Sequence, residues 1–434
     1  MSRVLSKAFV LAVMAAPAWA ADLPYEEPVF PEVDGAQVEL GRLLFYDPIL
    51  SGSKTVSCAT CHHPKFATGD GVSLGLGDGA SGLGPDRVAD PDNLPEQRIP
   101  RNAPPLFNLG ATEFTVFFHD GRLEQDATRP SGIRTPLGSE MEAGFASALS
   151  AQSMFPVLSA DEMAGHYSEN EISQAVRQGL ITGPGGAWDL LSQRVESIPA
   201  YRAQFDDVIG DTPIHFTDIS DAVAAFLDFE WRGVASPFDL YLRNGTEMEP
   251  AAMRGMDLFY GKAQCADCHA GRFQTDHAFH AIAMPQIGPG KAARFESHAQ
   301  DTGRMRVTGD PEDAYAFRTP PLRNVAQTAP YGHSGAYATL EGVVRHHLDP
   351  VASLRAYDVS QAIMPGFEAD DRRVLTDAAE MDAIAAANDL APVSLSDTEV
   401  DDILAFLSAL TDPQSVRGAL GIPATVPSGL PVDQ

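Results

Sequence analysis

Two five-residue strings decide the fold of this chain: Cys58-Ala59-Thr60-Cys61-His62 and Cys265-Ala266-Asp267-Cys268-His269. Each has the form C-x-x-C-H, the attachment motif of a c-type haem, in which two thiols bond to the porphyrin and the histidine binds the iron. The other interpretation of such a pair is a zinc site or a redox-active dithiol. The chain has 4 cysteines, and the two strings contain all of them. This pattern favours two covalently bound haem c groups, with His62 and His269 as iron ligands.

Residues 1–20 have the pattern of a secretory signal peptide. Arg3 and Lys7 precede the apolar stretch 8–16, and the small-x-small sequence Ala-Trp-Ala at 18–20 is a cleavage site. The apolar stretch is too short to cross a bilayer, and no later stretch is long and apolar enough to do so. We therefore expect export to the periplasm, a mature chain that starts at Ala21, and no transmembrane span.

The length of the chain indicates its number of domains, and its net charge limits the classes of molecule that it can bind. A chain of 434 residues is long enough for two or more domains, each with its own core. The 30 basic and 59 acidic side chains give a formal net charge of −29. Nucleic acid and anionic lipid are therefore poor partners, because both are polyanions. An acidic surface suits a basic redox partner, and it equally serves solubility.

A short segment occurs twice, once before each C-x-x-C-H string. Gly-Arg-Leu-Leu-Phe-Tyr at 41–46 precedes the first, and Gly-Met-Asp-Leu-Phe-Tyr at 255–260 precedes the second. Each has the composition of a helix end whose apolar side packs on its own haem. We therefore predict a mainly α fold of two tandem cytochrome c-like domains, with one c-type haem each and little regular β structure.

The domain boundary is predicted near residue 235. An amphipathic helix over 218–229 is followed by a Ser-Pro break at 236–237. The predicted N-terminal haem domain is therefore 21–235, and the C-terminal haem domain is 236–412. Ser396 and Glu399 form a capping box that predicts a helix to about Leu410. The tail, 413–434, is rich in proline and glycine and is expected to be irregular.

Further motifs follow one another in a familiar order. They are Leu40-Gly41, Leu44-Phe45, Ser57-Cys58, Arg101-Asn102-Ala103-Pro104, Asp120-Gly121-Arg122, Ser236-Pro237-Phe238-Asp239, Asp301-Thr302-Gly303-Arg304, Phe317-Arg318-Thr319-Pro320-Pro321-Leu322-Arg323-Asn324, Thr328-Ala329-Pro330-Tyr331 and Thr339-Leu340-Glu341. Over roughly residues 37–412 the chain resembles the bacterial dihaem cytochrome c peroxidases and their MauG-type relatives. The resemblance implies that the N-terminal haem is peroxidatic and reacts with hydrogen peroxide, whereas the C-terminal haem transfers electrons.

The resemblance also implies a catalytic acid–base group. In the family it is a glutamate in a Pro-x-x-x-x-x-Glu-Met string, with a glutamine ten residues earlier. Glu162 and Gln152 match this pattern in the segment that begins at Pro156. Such a carboxylate moves a proton between the two peroxide oxygens, so that the O–O bond breaks heterolytically. The alternative pair, Gln125 with Glu140, lies nearer to the Asp-Gly-Arg motif but lacks the proline and the spacing.

The loop after the first haem motif departs from the family pattern. In many relatives it carries a histidine that blocks the iron until the other haem is reduced, whereas residues 64–118 contain neither histidine nor methionine. We therefore expect an open, five-coordinate first haem without a reductive gate, as in MauG. His63 sits beside the proximal ligand and is expected at the surface or against a haem propionate.

The second haem is expected to be six-coordinate. The family places its second axial ligand nineteen residues after the threonine of Thr-x-Pro, and here this position is His347. Its neighbour His346 is the competing candidate. Histidine in place of the peroxidases' methionine lowers the reduction potential, since Met/His ligation raises it.

The resemblance implies one calcium ion and one relay position between the haems. The matching calcium ligands are the side-chain oxygen of Asn102 and the carbonyl oxygens of Thr328 and Pro330, a set of hard oxygen donors that suits calcium. His119 stands where the family often has a relay tryptophan. His333 is expected at a haem edge. Structural or solvent-facing roles are the default for five other histidines: His166, His215, His277, His280 and His298.

Two enzymatic functions and one non-enzymatic function fit these residues. The first is a periplasmic peroxidase that reduces hydrogen peroxide to water with electrons from a small redox protein, a cytochrome c or a cupredoxin. The second is a MauG-like enzyme that uses peroxide to oxidise residues of a partner protein. The third is a pure electron carrier, against which the open first haem and Glu162 argue. Members of the family often form homodimers, and a homodimer is one option here.

Overall fold

The computed structural model describes Leu23 and residues 26–166, 168–292 and 296–434. The predicted signal peptide, 1–20, lies outside the described residues. The prediction of a mainly α chain is confirmed, because 41% of the structure is helix and 5% is strand. Within the part that the structure describes, no helix combines the length and apolar character that crossing a bilayer requires.

The helices are short and are joined by long irregular segments. They are α1 (Gly35–Tyr46), α2 (Cys58–Cys61), α3 (Ala148–Ser153), α4 (Glu171–Arg177), α5 (Ala187–Glu196), α6 (Pro199–Ile209), α7 (Phe216–Glu230), α8 (Pro237–Asn244), α9 (Pro250–Phe259), α10 (Met305–Thr308), α11 (Leu340–Leu348), α12 (Pro350–Arg355), α13 (Arg373–Thr376), α14 (Ala378–Ala386), α15 (Asp397–Ala409) and α16 (Pro413–Arg417). The predicted helix over 218–229 is α7, and the predicted capping box of Ser396 and Glu399 begins α15.

Among the described residues, regular β structure is confined to three small antiparallel sheets. The strands are β1 (Ala80–Ser81), β2 (Val88–Ala89), β3 (Val116–Phe117), β4 (Leu123–Gln125), β5 (Ile133–Arg134), β6 (Phe279–His280) and β7 (Phe317–Arg318). The sheet orders are β1-β2, β3-β4-β5 and β6-β7. None is large enough to organise a core, so the helices and the loops around them carry the packing.

The repeated segment forms the same helix pair twice. Gly41 of α1 lies against α7, and a Cβ built on it would be 1.8 Å from the carbonyl oxygen of Ala222. Gly255 of α9 lies against α15 in the same way, with a Cβ 1.8 Å from the carbonyl oxygen of Asp402. The following phenylalanines repeat as well, since the ring centroids of Phe45 and Phe226 are 5.3 Å apart and those of Phe259 and Phe406 are 5.1 Å apart. Glycine is needed at both crossings because the two helix backbones nearly touch.

Gly41→Ala and Gly255→Ala are each expected to lower the free energy of unfolding by about 1–3 kcal/mol or more, because the added methyl group must push two packed helices apart. Denaturant unfolding of the haem-loaded variants measures the effect. Gly35→Ala is the matched control, since a Cβ at this first residue of α1 would meet nothing within 4 Å. Wild-type stability of both crossing variants would contradict such close helix contact.

The two largest buried hydrophobic clusters among the described residues divide the chain. One contains residues from Val38 to Trp231 together with Phe273 and Val426. The other contains residues from Phe238 to Leu410. The helices α1 and α7 contribute buried residues to the first cluster, and α9 and α15 contribute buried residues to the second.

The C-terminal tail crosses back onto the first cluster. It begins with the short helix α16, which differs from the irregular tail that we expected, because the Asp412 side chain accepts hydrogen bonds from Gln414 and Ser415 N–H groups. Beyond α16 no regular element follows. The Ser428 hydroxyl donates to Asp47 at 2.7 Å, and the Thr60 hydroxyl donates to Asp433 at 2.8 Å. The end of the chain therefore packs against the first C-x-x-C-H string.

Candidate functional site

The first C-x-x-C-H string forms the short helix α2 and orients its histidine. Ser57 N–H donates to the Thr60 hydroxyl at 3.0 Å, which stabilises the start of this turn. The Nδ1 of His62 donates to the carbonyl oxygen of Thr68 at 3.0 Å. A histidine whose Nδ1 carries the proton has an unprotonated Nε2, the form that binds a metal. The hydrogen bond to Thr68 therefore favours the tautomer that an iron ligand requires, and the carbonyl oxygen of Pro104 also lies within reach of the ring.

The second string repeats this arrangement. Cys265–Asp267 is a 3₁₀ turn, and the Nδ1 of His269 donates to the carbonyl oxygen of Gln274 at 3.0 Å. Burial, together with the nearby His347, lowers the pKa of His269 to about 4, so the ring is neutral at physiological pH. A neutral ring with a committed Nδ1 again leaves Nε2 for a metal.

The thiols of both strings are unlike those of a redox-active pair. Cys58, Cys61, Cys265 and Cys268 are not joined in disulfides. Burial raises the pKa of Cys58, Cys61 and Cys265 to about 12. Redox-active cysteines have a lowered pKa, since the thiolate is the nucleophile. These surroundings argue against the redox interpretation and fit thioether attachment.

His347 and His346 are adjacent on α11 but point to different surroundings. Both ring nitrogens of His346 are engaged, because Nδ1 lies 2.9 Å from the Tyr337 hydroxyl and Nε2 lies 2.8 Å from the carbonyl oxygen of Ile282. Within the described part of the chain, His347 hydrogen-bonds through Nδ1 alone, which donates to the carbonyl oxygen of Val343 at 2.7 Å. His346 is therefore part of the packing, whereas His347 has the same committed Nδ1 as His62 and His269.

The rings of His269 and His347 are spaced for one metal ion between them. Their centroids are 6.5 Å apart, with an interplanar angle of 59°. An imidazole nitrogen binds a transition metal at about 2.0 Å, and the ring centroid lies roughly 1.1 Å further on, so two rings on opposite sides of one metal have centroids about 6.2 Å apart. The residues of the second site fit a haem iron with two histidine ligands.

Glu162 lies in the π-helical turn Ala160–Ala164. The Asp78 N–H donates to the carbonyl oxygen of Glu162 at 2.9 Å, and the Gly52 N–H donates to that of Met163 at 2.7 Å. A Cβ on Gly77 would lie 2.5 Å from the Glu162 carbonyl oxygen, so this chain segment passes directly against the turn. The position of Glu162 is thus set by two segments that flank the first C-x-x-C-H string.

The carboxyl of Glu162 is partly buried, and burial raises its pKa, while the charges of Lys291 and Arg122 oppose that rise. The charge of Glu162 in turn contributes to the raised pKa of Cys61, which shows that the carboxyl is within electrostatic reach of the first string. A carboxyl with a raised pKa beside a cofactor site has the properties of a general acid–base group.

The other predicted catalytic residues occupy different surroundings. Gln152 is the penultimate residue of α3, is partly buried, and makes no side-chain hydrogen bond to any residue that the structure describes. Gln125 and Glu140, the alternative pair, are both exposed at the surface. Burial therefore favours Glu162 over Glu140.

Lys291 was not found by sequence reasoning. It comes from the C-terminal half of the chain, yet its charge and that of Glu162 affect each other. Burial and the charges of Arg122 and Arg101 lower its pKa to about 8. No motif or spacing in the sequence marks this lysine, because only the packing of the two halves brings it to the turn that carries Glu162.

Charged side chains join the halves beside His119. Arg101 bonds to Asp120 at 2.8 Å and to Asp301 at 2.7 Å, and all three are buried. The Nε2 of His119 donates to the carbonyl oxygen of Asn102 at 3.1 Å. Burial and the charge of Arg101 lower the pKa of His119 to about 4, so it is neutral at physiological pH. His119 therefore lies at the junction of the two halves.

The surroundings of Asn102 extend this junction. Asn102 N–H donates to the carbonyl oxygen of His333 at 2.9 Å, and its Nδ2 donates to that of Val72 at 2.9 Å. This orientation leaves the side-chain oxygen of Asn102 as the atom available to a cation. The His333 ring stacks on Phe317 with centroids 3.8 Å apart.

His63 does not lie at the surface. Its side chain is buried, and its Nδ1 accepts from the Lys65 N–H at 3.1 Å. The surface position that we considered for it is therefore wrong. The reason is the C-terminal tail, whose Asp433 contacts His63 and Thr60 from outside.

Comparison with known proteins identifies relatives of this chain. The profile of the family described as di-haem cytochrome c peroxidase matches residues 35–247. The methylamine utilization protein MauG of Methylorubrum extorquens is 31% identical over 330 residues, which cover 75% of this chain and 71% of that protein. This chain belongs to the di-haem cytochrome c peroxidase family.

Other members of the family extend the comparison. The cytochrome c551 peroxidase of Pseudomonas aeruginosa is 29% identical over 309 residues, covering 71% of this chain and 70% of that protein. A MauG-like protein associated with microbial copper homeostasis has a solved structure that superposes with a TM-score of 0.56 at 26% identity, over 92% of this chain and 97% of that one. The di-haem family is one of oxidoreductases with two haem c groups, in agreement with the two C-x-x-C-H strings.

Proposed function

We propose that this member of the family is a periplasmic peroxidase that reduces hydrogen peroxide to water with electrons from a small redox protein, a cytochrome c or a cupredoxin. The observation that carries the proposal is the partly buried carboxyl of Glu162, with a raised pKa, beside the first C-x-x-C-H string. A haem held there by Cys58, Cys61 and His62 would supply an iron with an open position and the electrons for O–O cleavage.

In this proposal, Glu162 accepts the proton from the near oxygen of peroxide and delivers it to the far oxygen, which leaves as water. Two electrons from the redox protein and two protons from solvent then convert the near oxygen to the second water. Burial raises the pKa of Glu162 above its ordinary value, which makes the carboxylate a better proton acceptor in the first half of this transfer. The positive charges of Arg122 and Lys291 stabilise the ionised form of this carboxyl, and they therefore limit the rise of its pKa. Gln152 is proposed to orient peroxide beside Glu162.

We further propose that 21–235 is the peroxidatic haem domain and that 236–412 is the electron-transfer haem domain. The separate hydrophobic clusters of the two halves support this division. Cys265, Cys268, His269 and His347 would hold the second haem, and the 6.5 Å separation of the two imidazole rings supports two histidine ligands. His119 at the junction of the halves is the proposed relay.

A calcium ion is proposed between the haems, bound by the Asn102 side-chain oxygen and the carbonyl oxygens of Thr328 and Pro330. The orientation of the Asn102 amide supports this, since its nitrogen is committed to Val72. The backbone of Asn102 is also bonded to His333, three residues beyond Pro330. Calcium at this junction would hold the two halves together through oxygen ligands.

A second candidate function is the MauG-like oxidation of residues in a partner protein. It is favoured by the absence of histidine and methionine from residues 64–118, which leaves no gating ligand in that loop. The two histidines of the second site favour it as well, because a low-potential haem is easier to oxidise above the ferric state.

Fully ferric enzyme mixed with one equivalent of hydrogen peroxide is expected to change its Soret spectrum at once, because no loop histidine has to leave the first iron. Stopped-flow absorption measures this. Enzyme in which one haem has been reduced beforehand is the control, and it is expected to react no more readily. A ferric enzyme that stays silent until it is reduced would show that another residue closes the first iron.

The two functions are distinguished by how fast a reduced donor protein returns the peroxide-treated enzyme to its resting state. Rapid return with a reduced cytochrome c or cupredoxin supports the peroxidase. Slow return with those donors, together with peroxide-dependent modification of a co-exported protein, supports the MauG-like function.

A further inference from the structure

Three side chains that serve neither haem site converge behind the turn of Glu162. Asp78 precedes β1, and His166 and Glu169 lie between the π-helical turn and α4. One nitrogen of His166 and one carboxylate oxygen each of Asp78 and Glu169 all lie within 4.8 Å of one another. A group of this kind places three metal-binding atoms around a common centre.

Asp78 points a buried, unpartnered oxygen into this group. The side chain is 2% exposed. Its Oδ1 accepts hydrogen bonds from the Ser53 and Thr55 hydroxyls, whereas no N–H or O–H group of the described residues donates to its Oδ2. The carboxyl of Glu169 lies against Asp78, and its pKa is raised by burial and by this contact. A buried carboxylate oxygen without a donor is unfavourable, and a bound cation removes the penalty. The two hydroxyls also fix the direction of the carboxylate, as groups behind a metal ligand commonly do.

Glu169 brings a second carboxylate to the same place. An added Cβ on Gly165 would lie 2.1 Å from the Glu169 Oε1 and 2.8 Å from the Asp78 Oδ2, so both oxygens face the glycine. Gly165 has a φ of +80°, and the His166 N–H donates to the Glu169 Oε1 at 3.1 Å. The glycine therefore lets the chain turn sharply and leaves room for two carboxylates that repel each other unless a proton or a cation lies between them.

We propose that Asp78, His166 and Glu169 form a binding site for a divalent first-row transition metal such as Zn²⁺. One imidazole nitrogen with two carboxylate oxygens is a borderline donor set that suits Zn²⁺, whereas Ca²⁺ and Mg²⁺ prefer oxygen ligands alone. Asp78 and His166 are buried and Glu169 is exposed, so the metal is reached from solvent on the Glu169 side, where water completes its coordination.

This site goes beyond the proposed function, because it uses no residue of either haem site. It is nevertheless connected to one. The Asp78 N–H donates to the carbonyl oxygen of Glu162, and His166 lies four residues after Glu162 in the sequence. A metal at this site ties the two segments that hold Glu162 to each other.

Isothermal titration of the chelator-treated, haem-loaded protein with Zn²⁺ tests the site. One equivalent is expected to bind, and equal concentrations of Ca²⁺ or Mg²⁺ are expected not to compete. Glu169→Gln and His166→Gln are each expected to weaken binding by on the order of 100-fold, since each removes one of three protein ligands. Unchanged haem absorption spectra show that the variants are folded.

Two control variants locate the metal. Glu247→Gln changes an exposed glutamate outside the group and is expected to bind Zn²⁺ like wild type. His280→Gln removes a side chain from the other cluster of possible metal ligands, which consists of Cys268, Asp276 and His280. This variant is also expected to bind Zn²⁺ with wild-type affinity. Three results would overturn the proposal. They are loss of Zn²⁺ binding in His280→Gln alone, wild-type Zn²⁺ affinity in both Glu169→Gln and His166→Gln, and the absence of stoichiometric Zn²⁺ binding to the wild-type protein. The last result would indicate that Asp78 and Glu169 share a proton instead.

Discussion

Glu162→Gln is expected to lower peroxide turnover by about two to four orders of magnitude, the usual effect of losing a general acid–base group. Glutamine keeps the size and the hydrogen-bonding capacity of the side chain but cannot accept and return a proton. The backbone contacts that hold the turn, from Asp78 and Gly52, do not involve the side chain and remain. Steady-state turnover with a reduced donor and single-turnover reaction with peroxide both measure the loss.

Glu140→Gln is the matched control, because it makes the same chemical change at an exposed glutamate. It is expected to have nearly wild-type turnover. Both variants are expected to attach two haems and to have a ferric spectrum close to that of the wild type, since neither glutamate binds iron. Loss of turnover in Glu140→Gln with normal turnover in Glu162→Gln would assign the acid–base role to Glu140 with Gln125.

His347→Met is expected to raise the reduction potential of the second haem by on the order of 0.1 V, because thioether ligation favours the ferrous state more than imidazole ligation does. The wild-type ferric enzyme is expected to contain one high-spin and one low-spin haem. Spectroelectrochemical titration and electron paramagnetic resonance measure the potential and the spin states.

His346→Met, at the neighbouring position, is expected to leave that potential in place. The His346 Nδ1 is hydrogen-bonded to the Tyr337 hydroxyl, so this variant is expected to lose stability rather than an iron ligand. If His346→Met shifted the potential and His347→Met did not, the ligand would be one residue upstream of the one we propose.

Much of the architecture was predictable because short sequence motifs specify it. Haem attachment depends on two thiols and a histidine within five residues, so each C-x-x-C-H string is recognisable without a structure. The capping box at Ser396 and Glu399 is equally local, and α15 begins there. The segments at 41–46 and 255–260 predicted a duplicated helix end, and both ends were found. The partner helices of this repeat, α7 and α15, were not predicted as its counterparts, since no short-range pattern connects them.

The candidate sites were only partly predictable. Spacing relative to known motifs selected His347 and Glu162, but it left His346 and Glu140 as alternatives. The structure separates these pairs by their surroundings: His346 is bonded through both nitrogens, and Glu140 is exposed. Adjacent residues of a helix point about 100° apart, so the orientation of α11 determines which histidine faces His269.

The amino-acid sequence by itself therefore predicted the haem-attachment sites of this protein and determined its helical class and its family, because these depend on residues a few positions apart. Only the tertiary structure decided which side chains meet. Lys291 reaches the turn of Glu162, and Asp78 reaches His166 and Glu169, across long stretches of chain. Such contacts come from the packing of whole segments around two hydrophobic clusters, which is a property of the entire chain and of no short motif within it.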